Sequence, residues 1–308
     1  MAQTHALGDR AASQLASVTK TVPQWSEITP RWLVRFLDWK PLEAGILRVN
    51  RVAEKPVSVA CALKEEKTLP ETFVDYVEKP REYTLSQIST VVNIHTRVSD
   101  LFSHPFDQIK EQLRLAVEEV KESQENELVN SEDYGLLKNV PSSQRIKPRK
   151  GAPTPDDMDE LLSRVWKEPS FFLAHPRAIA AFGRECTRRG VPPPTVNLFG
   201  SPFLTWRGVP IVPCDKLHGD GERRPTAQEG KSNILLIRAG EKKQGVIGLY
   251  QPGLPGEYTP GMSVRFMGID NKSMASYLIS LYCSAAVLTE DAIAVLEDVE
   301  VGNYHDSK

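Results

Sequence analysis

The most regular pattern along the chain is a period of two. Ile88, Thr90, Val92, Ile94, Thr96 and Val98 fall on one face of a strand, with Ser89, Asn93, His95, Arg97 and Ser99 on the other. Tyr277, Ile279, Leu281, Cys283, Ala285 and Val287 repeat the alternation near the C-terminus, and Met262 to Ile269 alternates as well. Ile46–Val52 and Val57–Leu63 are short apolar runs that read as strands. The charged, proline-containing stretch Lys64–Glu82 reads as a long loop or hairpin projecting from the body. From Pro105 to about Val129 the period changes to that of a helix, with Phe106, Ile109, Leu113, Ala116, Val117, Val120 and Leu128 on one stripe. Arg114 with Glu118, and Lys121 with Glu125, are expected as pairs four residues apart on its wet face. About 25 residues at 1.5 Å each make a rod of roughly 37 Å.

Two shorter helices follow. Thr154–Pro155 starts one bearing Met158, Leu161, Leu162, Val165 and Trp166. Pro176 starts another bearing Ile179, Phe182 and Cys186, with Gly190 as its stop. Phe171–Ala174 reads as a buried strand between them, and strands are expected near Val209–Val212, Asn233–Arg238 and Gly245–Tyr250. Thr289 is expected to cap a closing helical turn containing Ile293 and Leu296.

The first 45 residues resist assignment to a core. Leu7, Ala11, Leu15 and Val18 share a helical face before Pro23. Thr29–Pro30 reads as the start of a second helix running to about Trp39, with Trp32, Leu33, Phe36 and Leu37 on its face. Trp25, Trp32 and Trp39 are three of the five tryptophans of the chain. Pro23, Pro30 and Pro41 cut this segment into pieces too short to bury them, so it must pack on something else, as a lid on its own chain or a strap on a neighbour.

Composition narrows the function classes. The 308 residues carry 38 Lys+Arg against 40 Asp+Glu, a net charge of −2, which argues against a general phosphate-binding surface. Arg145, Lys147, Arg149 and Lys150 form one basic run, read as a solvated loop. No apolar run is long enough for a bilayer helix, and the N-terminus shows no basic segment followed by an apolar one, so a cytoplasmic location is expected. Cys61, Cys186, Cys214 and Cys283 form no CxxC pair, and no nucleophile-elbow, phosphate-loop or metalloprotease motif occurs. Cys214 and His218 are the nearest approach to a nucleophile and base, and the spacing fits no established motif. His104 and His175 each precede a helix-starting proline and are read as cap positions. No catalytic residue, cofactor or metal site is assigned.

An N-terminal arm, a projecting β loop, a long helix, an α/β unit and a returning strand, in that order, resemble the tailed-phage major-capsid-like (HK97-like) α+β fold. The likeness is most specific in TPDDMDELLSRVWKEPSFFLAHPRAIAAFGRECTRRG (Thr154–Gly190) followed by WRGVPIVPCDKL (Trp206–Leu217). Within that group SVTKTVPQWSEITPRWLVRFLDWKPLEAGILRVNRV (Ser17–Val52) resembles the encapsulin shell proteins of the second family, the sulfur-metabolism type. The resemblance implies an N-terminal arm at 1–45, an extended β loop at 46–99, and the spine helix of a peripheral domain at 100–134. It further implies an axial α/β domain at 135–255 and returning peripheral strands at 256–308. It implies a structural protein, not an enzyme, that assembles with itself in 60 copies or more into an icosahedral nanocompartment around a cargo enzyme, a cysteine desulfurase, for sulfur metabolism. A pore is implied at Arg188, Arg189, Gly190, Val191, Pro192, Pro193 and Pro194, with positive charge near the opening. A subunit interface is expected at Trp25, Trp32, Leu33, Phe36 and Trp39. The alternatives are a prophage major capsid protein and a Cys-dependent hydrolase using Cys214 and His218.

Overall fold

The computed structural model describes residues 30–50, 59, 71, 73, 76–95, 108–217 and 230–302. In chain order these hold helix α1 (Trp32–Phe36) and strands β1 (Asp38–Pro41), β2 (Ile46–Val49), β3 (Arg81–Thr84) and β4 (Ser86–His95), then the long helix α2 (Gln108–Asn130) and β5 (Arg145–Ile146). Helix α3 (Pro155–Arg164), β6 (Phe171–Ala174), helix α4 (Pro176–Arg188), β7 (Thr195–Leu198), β8 (Ser201–Trp206) and β9 (Val209–Pro213) follow. The chain closes with β10 (Lys231–Ile237), β11 (Val246–Tyr250), β12 (Glu257–Thr259), β13 (Met262–Ile269), β14 (Met274–Val287) and β15 (Ile293–Glu300).

Two sheets organise these elements. One has seven strands in the order β5-β15-β10-β6-β9-β8-β7; the other has six, β1-β11-β14-β13-β12 with β4 also on β14. β6 is FFLA, apolar on both faces, and sits between β10 and β9 with all four residues buried. On one side of it Phe172 and Ala174 meet Met158, Leu161 and Val165 of α3 and Ala178, Phe182 and Cys186 of α4. On the other side Phe171 and Leu173 join Leu235, Ile237 and Val295 in a core shared with Val246, Ala285 and Val287 of the six-stranded sheet. That core is the seam between the sheets. The long helix lies along the same face of the six-stranded sheet, Val117 and Val120 against Ile279, Leu281 and Cys283. Its last turn reaches the seam with Leu128 and Val129.

Local chemistry fixes the helix ends. Thr154 and Asp157 form a reciprocal capping box, with Pro155 in the first turn of α3. His175 Nδ1 accepts from Arg177 N at 3.1 Å before α4. That helix stops because Gly190 takes φ +70°, letting Val191 N reach Cys186 O at 3.0 Å.

Several expectations change. The aromatic helix ends at Phe36, and Trp39 belongs to β1, which pairs in parallel with β11. The Trp39 ring lies so close to Gly248 that a Cβ there would come within 2.6 Å of it. Among the described residues of the segment 46–99, β2 and β3 pair antiparallel in a two-stranded sheet of their own, while β4 belongs to the six-stranded sheet and runs ten residues beside β14, His95 to Ser86 against Met274 to Cys283. Even that small sheet is pinned, since Tyr83 Oη donates to Val287 O and accepts from Val287 N. Ile293–Glu300 is a strand, not a helical turn, because its backbone pairs with β10. The division at residue 255 also shifts, as β11 lies in the six-stranded sheet and β15 in the seven-stranded one. Trp166, placed on the core face of α3, is exposed. The stripe through Leu7 and Val18, Trp25, most of Val57–Leu63, His104, Phe106 and His218 lie outside the described residues.

Candidate functional site: the pore loop, the seam and the exposed edges

The loop after α4 is the exposed tip of the seven-stranded sheet. Thr187 to Pro192 are exposed, and Pro192, Pro193 and Pro194 fix three successive φ angles before β7. The expected ring of positive charge is compensated within the subunit. Arg188 Nη1 lies 2.9 Å from Glu185 Oε1, and Arg189 Nη1 lies 2.8 Å from Asp156 Oδ2. Burial of the Cys186 thiol behind this loop pushes its pKa up to about 11.

The aromatic segment expected at a subunit interface divides in two. Trp32 is 5% exposed and Leu33 fully buried within their own chain, Trp32 meeting Phe203 edge-on at 5.0 Å between ring centres. Both are therefore part of the core of their own chain. Phe36 is half-buried against Phe171 and Phe203, and Trp39 is half-buried with its indole N–H on Val34 O at 2.8 Å.

Beneath α1 lies a polar cluster. Glu118, Glu122 and Glu125 repeat on one face of α2 at i, i+4 and i+7. Arg31 bridges Glu118 and Glu122, the latter at 2.9 Å. Lys216, in the segment after β9, reaches Glu122 at 2.9 Å and Asp215 at 2.8 Å. Glu125 is fully buried and accepts from Leu33 N at 3.3 Å, holding the first turn of α1, whose own cap residue Arg31 makes no side-chain cap. The Lys121–Glu125 pair on a wet face is thereby corrected: Lys121 pairs with Glu118, and Glu125 points into the seam. Sequence reading missed this cluster, though one signal was present. The apolar stripe skips from Val120 to Leu128, and Gln124 and Glu125, both buried, fill the missing turn.

Burial, with the nearby Asp215 and Glu122 charges, raises the Glu125 carboxyl to about 8. Burial also drives the Cys214 thiol well above its ordinary value. That thiol is completely buried, and its burial disfavours the thiolate that the hydrolase alternative needs. Glu125, Cys214 and Asp215 bring one donor atom each within 4.8 Å of one another, a spacing a small cation could use, and the ammonium of Lys216 already places positive charge on Asp215. The two arginines of the basic run are equally committed. Arg145 pairs with Glu297 and donates to Val140 O and Leu137 O, while Arg149 bridges Asp157 and Glu160.

Large apolar side chains remain uncovered along two edges. Tyr258, Phe266, Met267 and Ile269 are exposed on β12 and β13, Val191 is exposed in the loop after α4, and Phe199 is exposed in the β7–β8 turn beside Trp32 and Phe36. Among the described residues, no helix is long and apolar enough to cross a membrane.

The profile of the SrpI-like family, described as type 2A encapsulin shell protein SrpI-like, matches residues 43–303. The chain is 64% identical over 301 residues to the type 2A encapsulin shell protein SrpI of Synechococcus elongatus, covering 97% of this chain and 96% of that protein. It is 57% identical over an alignment of 310 residues to a type 2A encapsulin shell protein of Mycolicibacterium paratuberculosis, covering 99% and 98%. A cryo-EM structure of the holo-SrpI encapsulin complex from Synechococcus elongatus matches at a TM-score of 0.82 and 61% identity, covering 99% of this chain and 100% of that one. The capsid of an empty GTA particle matches at a TM-score of 0.60 and 13% identity, covering 97% and 100%, a likeness of fold alone.

Glu125 generates a pH prediction. Its carboxyl holds a proton to about 8 in the folded chain and to about 4.5 when unfolded. Folding therefore takes up a proton between those values, so stability falls as pH rises from about 4.5 to about 8, by roughly 1.4 kcal/mol per unit, and levels off above. Glu125→Gln carries no proton and should show a flatter slope in urea midpoints between pH 5 and pH 8. Equal slopes would mean that the buried carboxyl is already ionised at neutral pH.

Proposed function

The chain belongs to the SrpI-like family of type 2A encapsulin shell proteins, and from that membership we propose that it closes into an icosahedral shell of at least sixty copies around a cysteine desulfurase. It is a structural shell protein of a nanocompartment, not an enzyme; in this reading the cargo does the chemistry, releasing sulfur from cysteine. The observation that carries the shell is the match over the whole length of a related subunit solved within an encapsulin complex. Sixty subunits of 34.4 kDa amount to about 2 MDa. The desulfurase rests on the resemblance of Ser17–Val52 to the sulfur-metabolism type. The prophage-capsid alternative gives way to family membership, since the chain shares 10–13% identity with the phage and GTA capsids it matches.

In this assembly the exposed edge on β12 and β13 is covered by neighbours, which accounts for four large apolar side chains left in water by a single subunit. Trp25 and the other residues before Pro30 are assigned, in this reading, to the contact with an adjacent subunit. The loop Arg188–Pro194 lines an opening at a symmetry axis. Because both arginines face their own carboxylates, the opening selects by size more than by charge.

Three measurements test these readings. Co-expressed with a cysteine desulfurase, the shell should carry the enzyme into a particle fraction above about 2 MDa, and shells purified alone should release no sulfide from cysteine. A desulfurase eluting wholly apart from the particles would remove it as cargo. Deleting residues 1–29 should leave a folded subunit, because α1 and β1 remain, and abolish closed shells. Uniform shells from that truncation would end the strap reading. For the opening, shells filled with a fluorescent dye and mixed with iodide should quench more slowly when Val191→Trp narrows the loop. Arg188→Gln with Arg189→Gln should leave the rate near wild type. An unchanged rate for Val191→Trp would place the opening elsewhere.

A further inference from the structure

The chain passes between the two sheets at two neighbouring places. The strand β10 leaves the seven-stranded sheet at Ile237, and the chain enters the six-stranded sheet as β11 at Val246; β14 leaves that sheet at Val287, and the chain returns as β15 at Ile293. The crossings lie against each other. Arg238 N donates to Ala292 O at 2.8 Å, Leu288 N to Gly245 O at 3.2 Å, and Thr289 Oγ1 to Gln244 O at 2.8 Å. Arg238 stands where the first crossing begins and is 1% exposed. Its Nη2 donates to Asp291 Oδ1 and to Thr289 Oγ1, each at 2.8 Å, and its Nη1 lies 3.4 Å from Asp291 Oδ2. From the solvent side Lys167 Nζ holds the same carboxylate at 2.9 Å. One side chain rooted in the first crossing thus grips the second on two residues.

We infer that Arg238 and Asp291 are positioning residues that set the angle between the two sheets and, through it, the curvature of the shell. The inference rests on the closed-shell reading above and adds the residues that fix its geometry. The backbone of the first crossing closes on itself, Val246 N on Arg238 O at 2.7 Å and Gly240 N on Val246 O at 3.0 Å, around an exposed turn through Glu241–Gln244. A guanidinium fork on a carboxylate adds a fixed planar constraint between this crossing and the second. The tolerance required is small. The long helix rides on the six-stranded sheet, and its 23 residues span about 34 Å, so a hinge change of about 10° moves the far end by about 6 Å. Apolar side chains lose contact beyond about 4.5 Å, so a swing of that size opens a subunit interface. In a closed assembly every subunit must repeat the same angle; otherwise the contacts fail to close and produce open or larger bodies.

Positioning and stability are separable here, because a buried ion pair replaced by apolar residues of similar volume can leave stability nearly unchanged. The test is Arg238→Met with Asp291→Leu, measured by urea unfolding and by the mass distribution of purified particles. The expected result is an unfolding midpoint near wild type together with several size classes or open fragments where wild type gives one class. A folded double variant with the wild-type size distribution overturns the inference. Should that variant fail to fold, Thr289→Val decides. It removes the contact of Arg238 Nη2 to Thr289 at a half-buried position and should broaden the distribution in the same direction, whereas an unchanged distribution overturns the inference. Wild-type chain that forms no closed particle overturns the shell reading itself, and the inference with it. Wild-type shells with unchanged variants overturn the inference alone.

Discussion

Charge buried at the seam between two sheets is the constraint around which this subunit is arranged. A charged group removed from water must be paired and hydrogen-bonded or it costs several kcal/mol, and the seam contains such groups on both flanks. On one flank Arg238 meets Asp291; burial works against the carboxylate, but Arg238, Lys167 and Thr289 outweigh it and hold its pKa far below the ordinary range. On the other flank Arg31 and Lys216 serve Glu118, Glu122 and Asp215, while Glu125 avoids the problem by keeping its proton. Each flank joins elements distant in sequence. Arg31 enters from the arm, Lys216 from the end of β9, and the glutamates from the long helix, so pairing the charges also fixes those three segments relative to one another.

This explains why the aromatic arm is divided. Its first described part is structural: Trp32 and Leu33 complete the seam core, and the peptide N–H of Leu33 donates to the buried Glu125 carboxyl. Losing Leu33 to Ala would leave a cavity in a fully buried site, a change that typically costs 2–5 kcal/mol. A subunit whose core is complete without its neighbours can fold first and assemble afterwards, leaving the exposed edge on β12 and β13 for the second step.

Elements whose information is local were readable in the sequence. Phe171–Ala174 and Met262–Ile269 coincide with their strands, and the Thr154–Pro155 start and the Gly190 stop are where capping chemistry puts them. The hairpins β7–β8 and β8–β9 were not readable, because their two-residue turns place Phe199 and Arg207 at positive φ ahead of Gly200 and Gly208. Turns of that kind ordinarily announce themselves by Asn or Asp before Gly. Ile293–Leu296 is four apolar residues with no period, so only its pairing with β10, distant in sequence, makes it a strand. The candidate site divides in the same way. The exposed proline loop was legible from its own residues. Glu125 looked like half of a surface ion pair because its true neighbours, Leu33 and Asp215, lie about ninety residues away on either side.

The cysteines complete the same logic. Burial raises the thiols of Cys186 to about 11 and Cys283 to about 12 and drives that of Cys214 well above its ordinary value, so each stays protonated at neutral pH. The thiolate is the nucleophile in disulfide exchange and in attack on sulfane sulfur, so a wall built this way presents little reactive sulfur from these three positions. For a compartment proposed to enclose sulfur release, that inertness is a requirement on the container: a thiolate in the wall would consume product and crosslink subunits. The packing that makes these thiols unreactive is the same packing that forms the seam core and the layer under α3 and α4, Cys214 lying in the first and Cys186 in the second. Chemical resistance of the wall and rigidity of the subunit therefore follow from one arrangement of apolar side chains, and a substitution that loosened either core would expose its thiol as it softened the fold.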